Sequence, residues 1–235
     1  MKIAQDEPVL SIIIPTLNAE RTLPRTLAAL VEPAVRGLVR EVILADGGST
    51  DMTPPIAETT GAHFLRAERG RGAQLRAGAA AARSPWLLFL HADTVLAAGW
   101  ADEAESFMTR HGDMAERAAA FRFALDDDAP AARRLEHLVA LRCALFRLPY
   151  GDQGLLISRR FYDRLGGYSP MPLMEDVDMV RRIGRKRLVM LRTFAVTDAG
   201  RYAAEGYVMR PLRNLSLLTL YFLGVSPRLL ARLYG

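Results

Sequence analysis

Short apolar segments alternate with helix-like segments through the first half of the chain, and this alternation constrains the fold more than any other feature. Continuous aliphatic runs of this length are typical of parallel strands that are buried on both faces. Repeated strand–helix units predict an open, mostly parallel twisted α/β sheet with helices on both faces. The predicted strands are Val9–Ile14, Glu41–Ala45, Ala62–Arg66 and Trp86–His91, with helices at Glu20–Val31 and Gly72–Arg83.

The second half of the chain is predicted to be less regular. It has candidate helices at Gly99–His111, Arg133–Phe146 and Met174–Ile183, and candidate strands at Ala118–Leu125, Gly154–Ser158 and Leu188–Leu191. Neither an internal repeat nor a low-complexity linker divides it. We therefore expect one domain over residues 1–235, with a first half at 1–95, a second half at 96–205 and a helical segment at 206–235.

Composition excludes several classes of protein. The single cysteine, Cys143, excludes a disulfide framework and a cysteine-based zinc site, and we expect it to pack in the core. A net charge of +5 favours anionic partners such as phosphates, nucleotides or a lipid surface. The chain reaches Asp6 before any apolar run, so we expect no secretory signal, and it offers no uncharged apolar run long enough to span a bilayer.

Polar clusters follow three of the predicted strands. They are Pro15–Glu20, Asp46–Asp51 and His91–Thr94. In an open α/β sheet, ligands bind beyond the carboxyl ends of the strands. Each cluster alone could be ordinary turn or capping chemistry, because turns favour Asp, Gly and Ser. Three clusters at one edge of one sheet favour a binding site. On extended chain His91 and Asp93 would point the same way, and a carboxylate there could hold a divalent cation.

Four motifs occur in order along the chain: SIIIPTLNAE, EVILADGGSTDMT, LFLHADT and LMEDVDMVRR. With this order and strand context, the sequence resembles family 2 glycosyltransferases of the GT-A fold. It is most similar to a small bacterial branch with an HAD metal motif and a later YGDQG motif, here Tyr150–Gly154. The resemblance covers nearly the whole chain. It implies a sheet of the kind predicted above, followed by C-terminal helices.

The resemblance implies a nucleotide-sugar donor, by default a UDP-sugar, and a divalent Mn²⁺ or Mg²⁺ ion. Asp93 matches the metal-binding Asp of the family, and Asp46 matches an Asp that accepts a hydrogen bond from the base. Gly47 stands where many members have a second Asp, and His91 replaces the first Asp of the metal motif. The nucleotide-binding residues implied are Pro15, Thr16, Asn18, Glu20, Asp46, Arg71, Gln74 and His91. Arg69 or Arg71 would help to neutralise the diphosphate, near the positive end of a helix.

Glu175 and Asp176 match the motif that supplies the general base of inverting members. Asp176 would take the proton from the acceptor hydroxyl as it attacks the anomeric carbon, with Glu175 beside it. Taken alone, the pair could equally be an acidic helix N-terminus. The resemblance places Gly151, Asp152 and Gln153 on the acceptor side. The chain lacks the QxxRW motif of processive synthases, and Arg201 and Tyr202 are the nearest equivalent.

The C-terminal segment is apolar and basic. Its arginines, Arg210, Arg213, Arg228 and Arg232, flank two leucine-rich stretches. Such a segment either covers the sheet or a dimer surface, or docks on an anionic bilayer near a lipid-linked acceptor. We therefore predict a cytoplasmic protein, free or peripheral at the inner face of the membrane.

The interpretation from the sequence is an inverting, metal-dependent glycosyltransferase with a hydroxyl acceptor and no nucleic-acid partner. Two alternatives stay open. A nucleotide- or membrane-binding module with a degenerate site would bind nucleotide without turnover. A sugar-phosphate nucleotidylyltransferase would need a glycine-rich basic loop after the first strand, where the chain has Pro15–Asn18 instead.

Overall fold

The structure is a computed structural model that describes residues 9–234, and eight strands of this part of the chain form one sheet. The expectation that the N-terminus carries no secretory signal concerns residues 1–8, which lie outside the described residues. The strands are β1 (Leu10–Thr16), β2 (Val39–Asp46), β3 (His63–Arg66), β4 (Trp86–Phe89), β5 (Thr94–Leu96), β6 (Ala118–Leu125), β7 (Leu155–Ser158) and β8 (Leu188–Thr197).

The strand order across the sheet is β3-β2-β1-β4-β7-β6-β8-β5. The first half of the chain forms the parallel part, in which β1 pairs with β2 and β4, and β2 pairs with β3. Strand β7 then runs antiparallel between β4 and β6, while β6 and β8 pair in parallel and β5 runs antiparallel to β8. The sheet is therefore mixed, and the carboxyl ends of β1, β2 and β4 meet at one edge as predicted.

Helices cover both faces of this sheet. They are α1 (Leu23–Val35), α2 (Thr53–Thr60), α3 (Arg71–Ala81), α4 (Trp100–His111), α5 (Pro130–Phe146), α6 (Arg159–Arg164), α7 (Glu175–Ile183), α8 (Gly200–Glu205), α9 (Met209–Phe222) and α10 (Pro227–Tyr234). A 3₁₀ turn occupies Gly151–Gln153. Helix α1 begins at Leu23 rather than at the predicted Glu20, because Asn18 takes a left-handed φ of 50° and a turn follows it.

The core lies in layers on the two faces of the sheet. Ile12 and Ile14 of β1 face one layer, which holds Leu27 of α1 and Phe107 of α4. Ile13 faces the opposite layer, which α3, α7, α9 and α10 complete. Alternate residues of one strand thus pack against different helices, as expected of a sheet buried on both sides. Cys143 packs in a third cluster between α5 and β6, as predicted.

The last strand differs most from the prediction. It extends to Thr197 instead of ending at Leu191, and the short strand β5 pairs with its end. The pairing of β6 with β8 shifts register before Arg122. There the Glu103 carboxylate of α4 accepts hydrogen bonds from the backbone N–H groups of Arg192 and Thr193. The Glu103 side chain, distant in sequence, therefore accepts the hydrogen bonds of the backbone N–H groups in the irregular part of β8. The apolar pattern of β8 alone does not predict how long the strand is.

The C-terminal helices pack on the sheet with one face only. Leu217 and Leu218 of α9 and Leu230 of α10 are buried in the second core layer. This confirms that the segment covers the sheet. No helix within residues 9–234 is both long enough and apolar enough to cross a membrane.

Candidate active site

Two cavities meet at the carboxyl ends of β1, β4 and β8. The larger, which we call the β1 cleft, is bounded by the loop after β1 and by the residues that precede α3. The smaller, which we call the α9 cavity, is bounded by Tyr150–Asp152, the start of α7 and the inner face of α9. Both cavities are lined by the same five side chains: Arg71, His91, Asp93, Asp198 and Arg201.

The loop after β1 is bonded to the loop after β2. The Asn18 side-chain oxygen accepts a hydrogen bond from the Thr50 N–H, and the Asn18 N–H donates to the Ser49 hydroxyl. The left-handed φ of Asn18 allows this arrangement, because Asn tolerates that region better than most residues. Pro15, Thr16 and Asn18, which are predicted to bind the nucleotide, line the β1 cleft.

Asp46, which is predicted to contact a base, is not among the side chains that line the cleft. Its carboxylate is buried and accepts four hydrogen bonds, which come from the Thr16 and Ser49 hydroxyls and from the Gly48 and Ser49 N–H groups. Burial opposes ionisation, but these hydrogen bonds outweigh it and lower the pKa of Asp46. Asp46 therefore holds the loop in shape. Glu20 likewise lies outside the cleft lining and accepts a hydrogen bond from the Met52 N–H.

Gln74 lines the β1 cleft, but its side-chain amide forms hydrogen bonds within the protein. Its side-chain NH₂ donates to the Thr16 and Ala45 carbonyl oxygens over 2.7 Å each. A Cβ placed on Gly47 would lie 3.2 Å from three atoms of this amide. The Gln74 side chain thus fills the space that a second Asp would need, which accounts for glycine at position 47.

His91 and Asp93 lie in a turn after β4 rather than on extended chain, yet both line the two cavities. Asp93 Oδ1 is buried and has no hydrogen-bond partner. Burial, reinforced by the Arg71 guanidinium, lowers the pKa of His91, so its imidazole is neutral at physiological pH.

Asp198 is a site residue that the sequence interpretation missed. Its N–H donates to the Asp93 carbonyl oxygen over 2.9 Å, and its side chain lines both cavities. It follows β8, whose true end at Thr197 the apolar pattern does not show. Carboxylate oxygens are the ligands that Mg²⁺ and Mn²⁺ prefer, so Asp93 and Asp198, which line both cavities, are the candidate ligands for such an ion. Residues 9–234 contain no group of three His, Cys, Asp or Glu side chains arranged for a metal, so a bound cation would need further oxygens.

The start of α7 separates the two acidic residues of its motif. Asp176 lines the α9 cavity, where its Oδ2 accepts a 2.8 Å hydrogen bond from the Gly151 N–H. Glu175 is buried, lines neither cavity and lies 3.0 Å from the Arg71 guanidinium. Burial raises the pKa of Glu175 despite Arg71. Glu175 therefore positions Arg71. Because Glu175 lines neither cavity, it is not placed to contact a substrate there.

Of the residues after Tyr150, Asp152 lines the α9 cavity and Gln153 does not. Oδ1 of Asp152 is buried without a hydrogen-bond partner, and burial raises the pKa of Asp152 to about 6. Gln153 was predicted to line the acceptor side, but it lies behind the wall. Its NH₂ donates to the Phe121 carbonyl oxygen, while its own oxygen accepts from Arg142 and the Tyr150 N–H.

The remaining wall of the α9 cavity comes from the C-terminal segment. Tyr202 lies under the Arg210 guanidinium, 5.1 Å from ring centre to carbon, and Arg210 also pairs with Glu205. Burial raises the pKa of Tyr202 to about 12. Asn214, Leu217 and Leu218 of α9 complete this wall, and the sequence interpretation did not include them in the site.

Comparisons with known proteins agree with this fold. A model of the family described as Glycosyl transferase family 2 matches residues 11–141. A PGL/p-HBAD biosynthesis glycosyltransferase of Mycobacterium bovis is 29% identical over 177 residues, which are 69% of this chain and 64% of that protein. The chain thus spans less than two thirds of that relative. Glucosyl-3-phosphoglycerate synthase of Mycobacterium tuberculosis is 32% identical over 95 residues, which are 37% of this chain and 29% of that protein.

Solved structures show the same architecture. That synthase, solved with Mn²⁺, UDP and glucosyl-3-phosphoglycerate, superposes with a TM-score of 0.56 at 22% identity over 80% of this chain and 70% of its own. Residues 1–349 of TarS from S. aureus, solved with UDP, give 0.61 at 16% identity over 81% of this chain and 61% of that one. The expected GT-A fold is confirmed. Because the family model matches more than half of the sequence, this chain belongs to glycosyl transferase family 2.

Proposed function

We propose that this protein transfers a sugar from a nucleotide-sugar donor to a hydroxyl acceptor, with the help of a divalent cation. The observation that carries the proposal is that both cavities are lined by Asp93, whose Oδ1 is buried without a hydrogen-bond partner, while a second carboxylate, Asp176, lines the α9 cavity alone. A donor and an acceptor need separate pockets that touch at the reacting atoms.

The β1 cleft suits the nucleotide diphosphate. Pro15, Thr16 and Asn18 offer a rigid wall for the base and ribose. Arg69, Arg71 and Arg201 line the cleft and supply positive charge for the two phosphates. Arg71 is held in place by Glu175. Charged donors that are already aimed at a developing negative charge lower the barrier for its formation.

Asp93 and Asp198 would hold Mn²⁺ or Mg²⁺ at the junction of the cavities. Such an ion, when bound, stabilises the charge that develops on a departing diphosphate. The Asp93 Oδ1 atom supports this assignment because it has no hydrogen-bond partner. Burying a carboxylate oxygen without a hydrogen-bond donor is costly unless the oxygen binds a ligand such as a cation. The relatives solved with Mn²⁺ and UDP support a divalent cation and a uridine nucleotide here.

Asp176 is the general base in this proposal. It removes the proton of the acceptor hydroxyl while the acceptor oxygen forms a bond to the anomeric carbon. The bond from that carbon to the diphosphate oxygen breaks, and the nucleoside diphosphate leaves with the electron pair. Attack from the side opposite the leaving group inverts the configuration of the sugar. The Gly151 N–H holds Asp176 Oδ2 at the cavity.

The α9 cavity suits the body of the acceptor. Leu173, Val177, Leu217 and Leu218 give it an apolar wall, and Asp152 and Asp176 give it an acidic one. The nearby Arg210 is paired with Glu205. Arg71 and Arg201 also line the cavity, so its charged lining is mixed, and the apolar wall favours an alcohol with an apolar part.

The test is calorimetric titration of UDP and GDP with and without Mn²⁺. We expect metal-dependent binding of one nucleotide to the wild type and to Asp113→Ala, which removes an exposed carboxylate far from both cavities. Asp93→Ala should abolish the metal dependence. A complete lack of nucleotide binding by the wild type would overturn the proposal. Binding without any turnover of UDP-sugars or GDP-sugars would instead favour the degenerate binding module.

A further inference from the structure

Helices α9 and α10 expose several large apolar side chains. On α9, leucine and phenylalanine lie on the side away from the buried Leu217 and Leu218, beside the exposed hydroxyls of Ser216 and Thr219. On α10, exposed leucines flank the buried Leu230. The apolar residues concerned each expose between 48% and 76% of their surface: Leu212, Leu215, Phe222, Leu223, Leu229 and Leu233.

A second apolar stripe runs along α5. Leu138, Leu141 and Leu145 are spaced three and four residues apart and are exposed, while Val139 and Cys143 face the core. Residues at this spacing share one face of a helix. The α5 stripe therefore points away from the protein over the second half of the helix.

A basic side chain contacts each of the two apolar areas. Arg185 donates to the Leu145 carbonyl oxygen at the end of α5. Arg181 lies over the Phe222 ring of α9, with 5.1 Å between the guanidinium carbon and the ring centre. We call the exposed sides of α5, α9 and α10, together with these two arginines, the basic apolar face.

The charge of this face is mostly positive. The sequence from Gly206 to Gly235 contains no aspartate or glutamate, while Arg228 and Arg232 are exposed on α10. The one acidic residue of α5, Glu136, is mostly buried and is bonded to Arg133 and to the Leu125 N–H. Glu205, before α9, pairs with Arg210 and Arg213, but the exposed arginines of α10 lie beside exposed leucines and complement a surface that is both anionic and apolar.

Helix α9 connects this face with the active site. Its inner side chains, Asn214, Leu217 and Leu218, line the α9 cavity, and its outer side belongs to the basic apolar face. An α-helix with its side chains is about 10 Å thick. Whatever binds the outer side of α9 therefore lies within about one helix diameter of the proposed acceptor pocket.

We propose that the basic apolar face docks on an anionic lipid bilayer. The exposed leucines and Phe222 enter the boundary between headgroups and acyl chains, and the arginines contact anionic headgroups. The docking holds the α9 cavity at the lipid surface. It is a binding property of the chain and does not depend on the transferase reaction.

Vesicle co-sedimentation tests this proposal on the full chain. The vesicles are phosphatidylcholine alone or phosphatidylcholine with one quarter phosphatidylglycerol. We expect the wild type to bind the anionic vesicles, and Leu212→Glu/Leu215→Glu to bind about tenfold less or worse, because two leucines no longer enter the bilayer. The matched control is Val31→Glu/Val35→Glu, which places two charges on the exposed side of α1 and should bind like the wild type. Circular dichroism melting verifies that each variant is folded.

Several results would overturn the proposal. One is a wild type that ignores anionic vesicles; another is equal binding by the wild type and Leu212→Glu/Leu215→Glu. Light scattering gives a third: a dimer that the same substitutions dissociate would show that a second copy of the chain covers the face. Nucleotide binding by Leu212→Glu/Leu215→Glu should stay at the wild-type level, so that failure of docking and failure of the transferase proposal are distinguishable.

Discussion

The backbone N–H of Gly151 donates a 2.8 Å hydrogen bond to Oδ2 of Asp176, although the two residues lie on different elements. The second oxygen of Asp176 accepts from the Val177 N–H at the start of α7. Two backbone donors thus orient this carboxylate, and neither depends on a side chain. The YGDQG and ED motifs are therefore one structural unit.

Substitution of Asp176 tests its proposed role as general base. We expect Asp176→Asn to lower kcat about 100- to 10,000-fold, the usual contribution of a general base. Asparagine can still accept the Gly151 N–H bond, so nucleotide affinity should change little. The measurement is steady-state transfer together with calorimetric nucleotide binding. An unchanged kcat would assign the base to another group, with Asp152 the next nearest candidate in the cavity.

Substitution of Gly151 tests how tightly the motif approaches the site. A Cβ at this position would lie 2.6 Å from His91 Nε2 and 3.5 Å from Asp176 Oδ2. Gly151→Ala should displace the imidazole and lower turnover about tenfold or more, since small misplacements at a reacting centre are costly. The melting temperature should change little, because the end of a side chain can move aside. In a His91→Ala background the same substitution should cost much less, and equal costs in the two backgrounds would contradict this explanation.

The parallel half of the fold follows from local sequence. Strands such as β1 and β4 are continuous apolar runs, and the pattern also locates the polar residues that follow them, including Asp93. The end of β8 does not follow in this way. Its irregular part depends on Glu103 of α4, a contact across the fold, and Asp198 at its end was therefore missed.

The motifs predict which residues come near the site, but not which of their polar atoms stay available. Asp46 and Gln153 are near it, yet each uses its polar atoms in hydrogen bonds within the protein. Asp93 and Asp152 keep an oxygen without a hydrogen-bond partner, and so does Glu175, which is held by its ion pair with Arg71. Which side-chain oxygens keep no partner depends on where backbone donors lie in three dimensions. The spacing of residues along the sequence does not give those positions.

The contact between Gly47 and Gln74 makes a prediction about stability. Gly47→Asp alone should lower the free energy of unfolding by about 1–3 kcal/mol, because the new side chain meets the Gln74 amide. Gln74→Ala alone should cost a similar amount, because the Thr16 and Ala45 carbonyls lose their donor. The double variant should lose about 1 kcal/mol less than the sum. Urea denaturation measures all three, and strictly additive losses would show that Gln74 does not determine the residue at position 47.

Asp152 gives a prediction about pH. Burial raises its pKa from 3.8 to about 6 in the folded chain. As the pH rises from about 4 to about 6, the unfolded chain loses this proton first, so the folded state is progressively disfavoured. In Asp152→Asn the side chain has no titrating proton. Oδ1 of Asp152 makes no hydrogen bond, so the substitution removes none there. Relative to the wild type, the variant should gain nothing below pH 4 and at most about 3 kcal/mol above pH 6. Urea unfolding with a chelator present measures this difference without a cation that would favour the carboxylate. The exposed Asp113→Asn is the control, and parallel curves for Asp152→Asn and the wild type would show that the carboxyl is not desolvated.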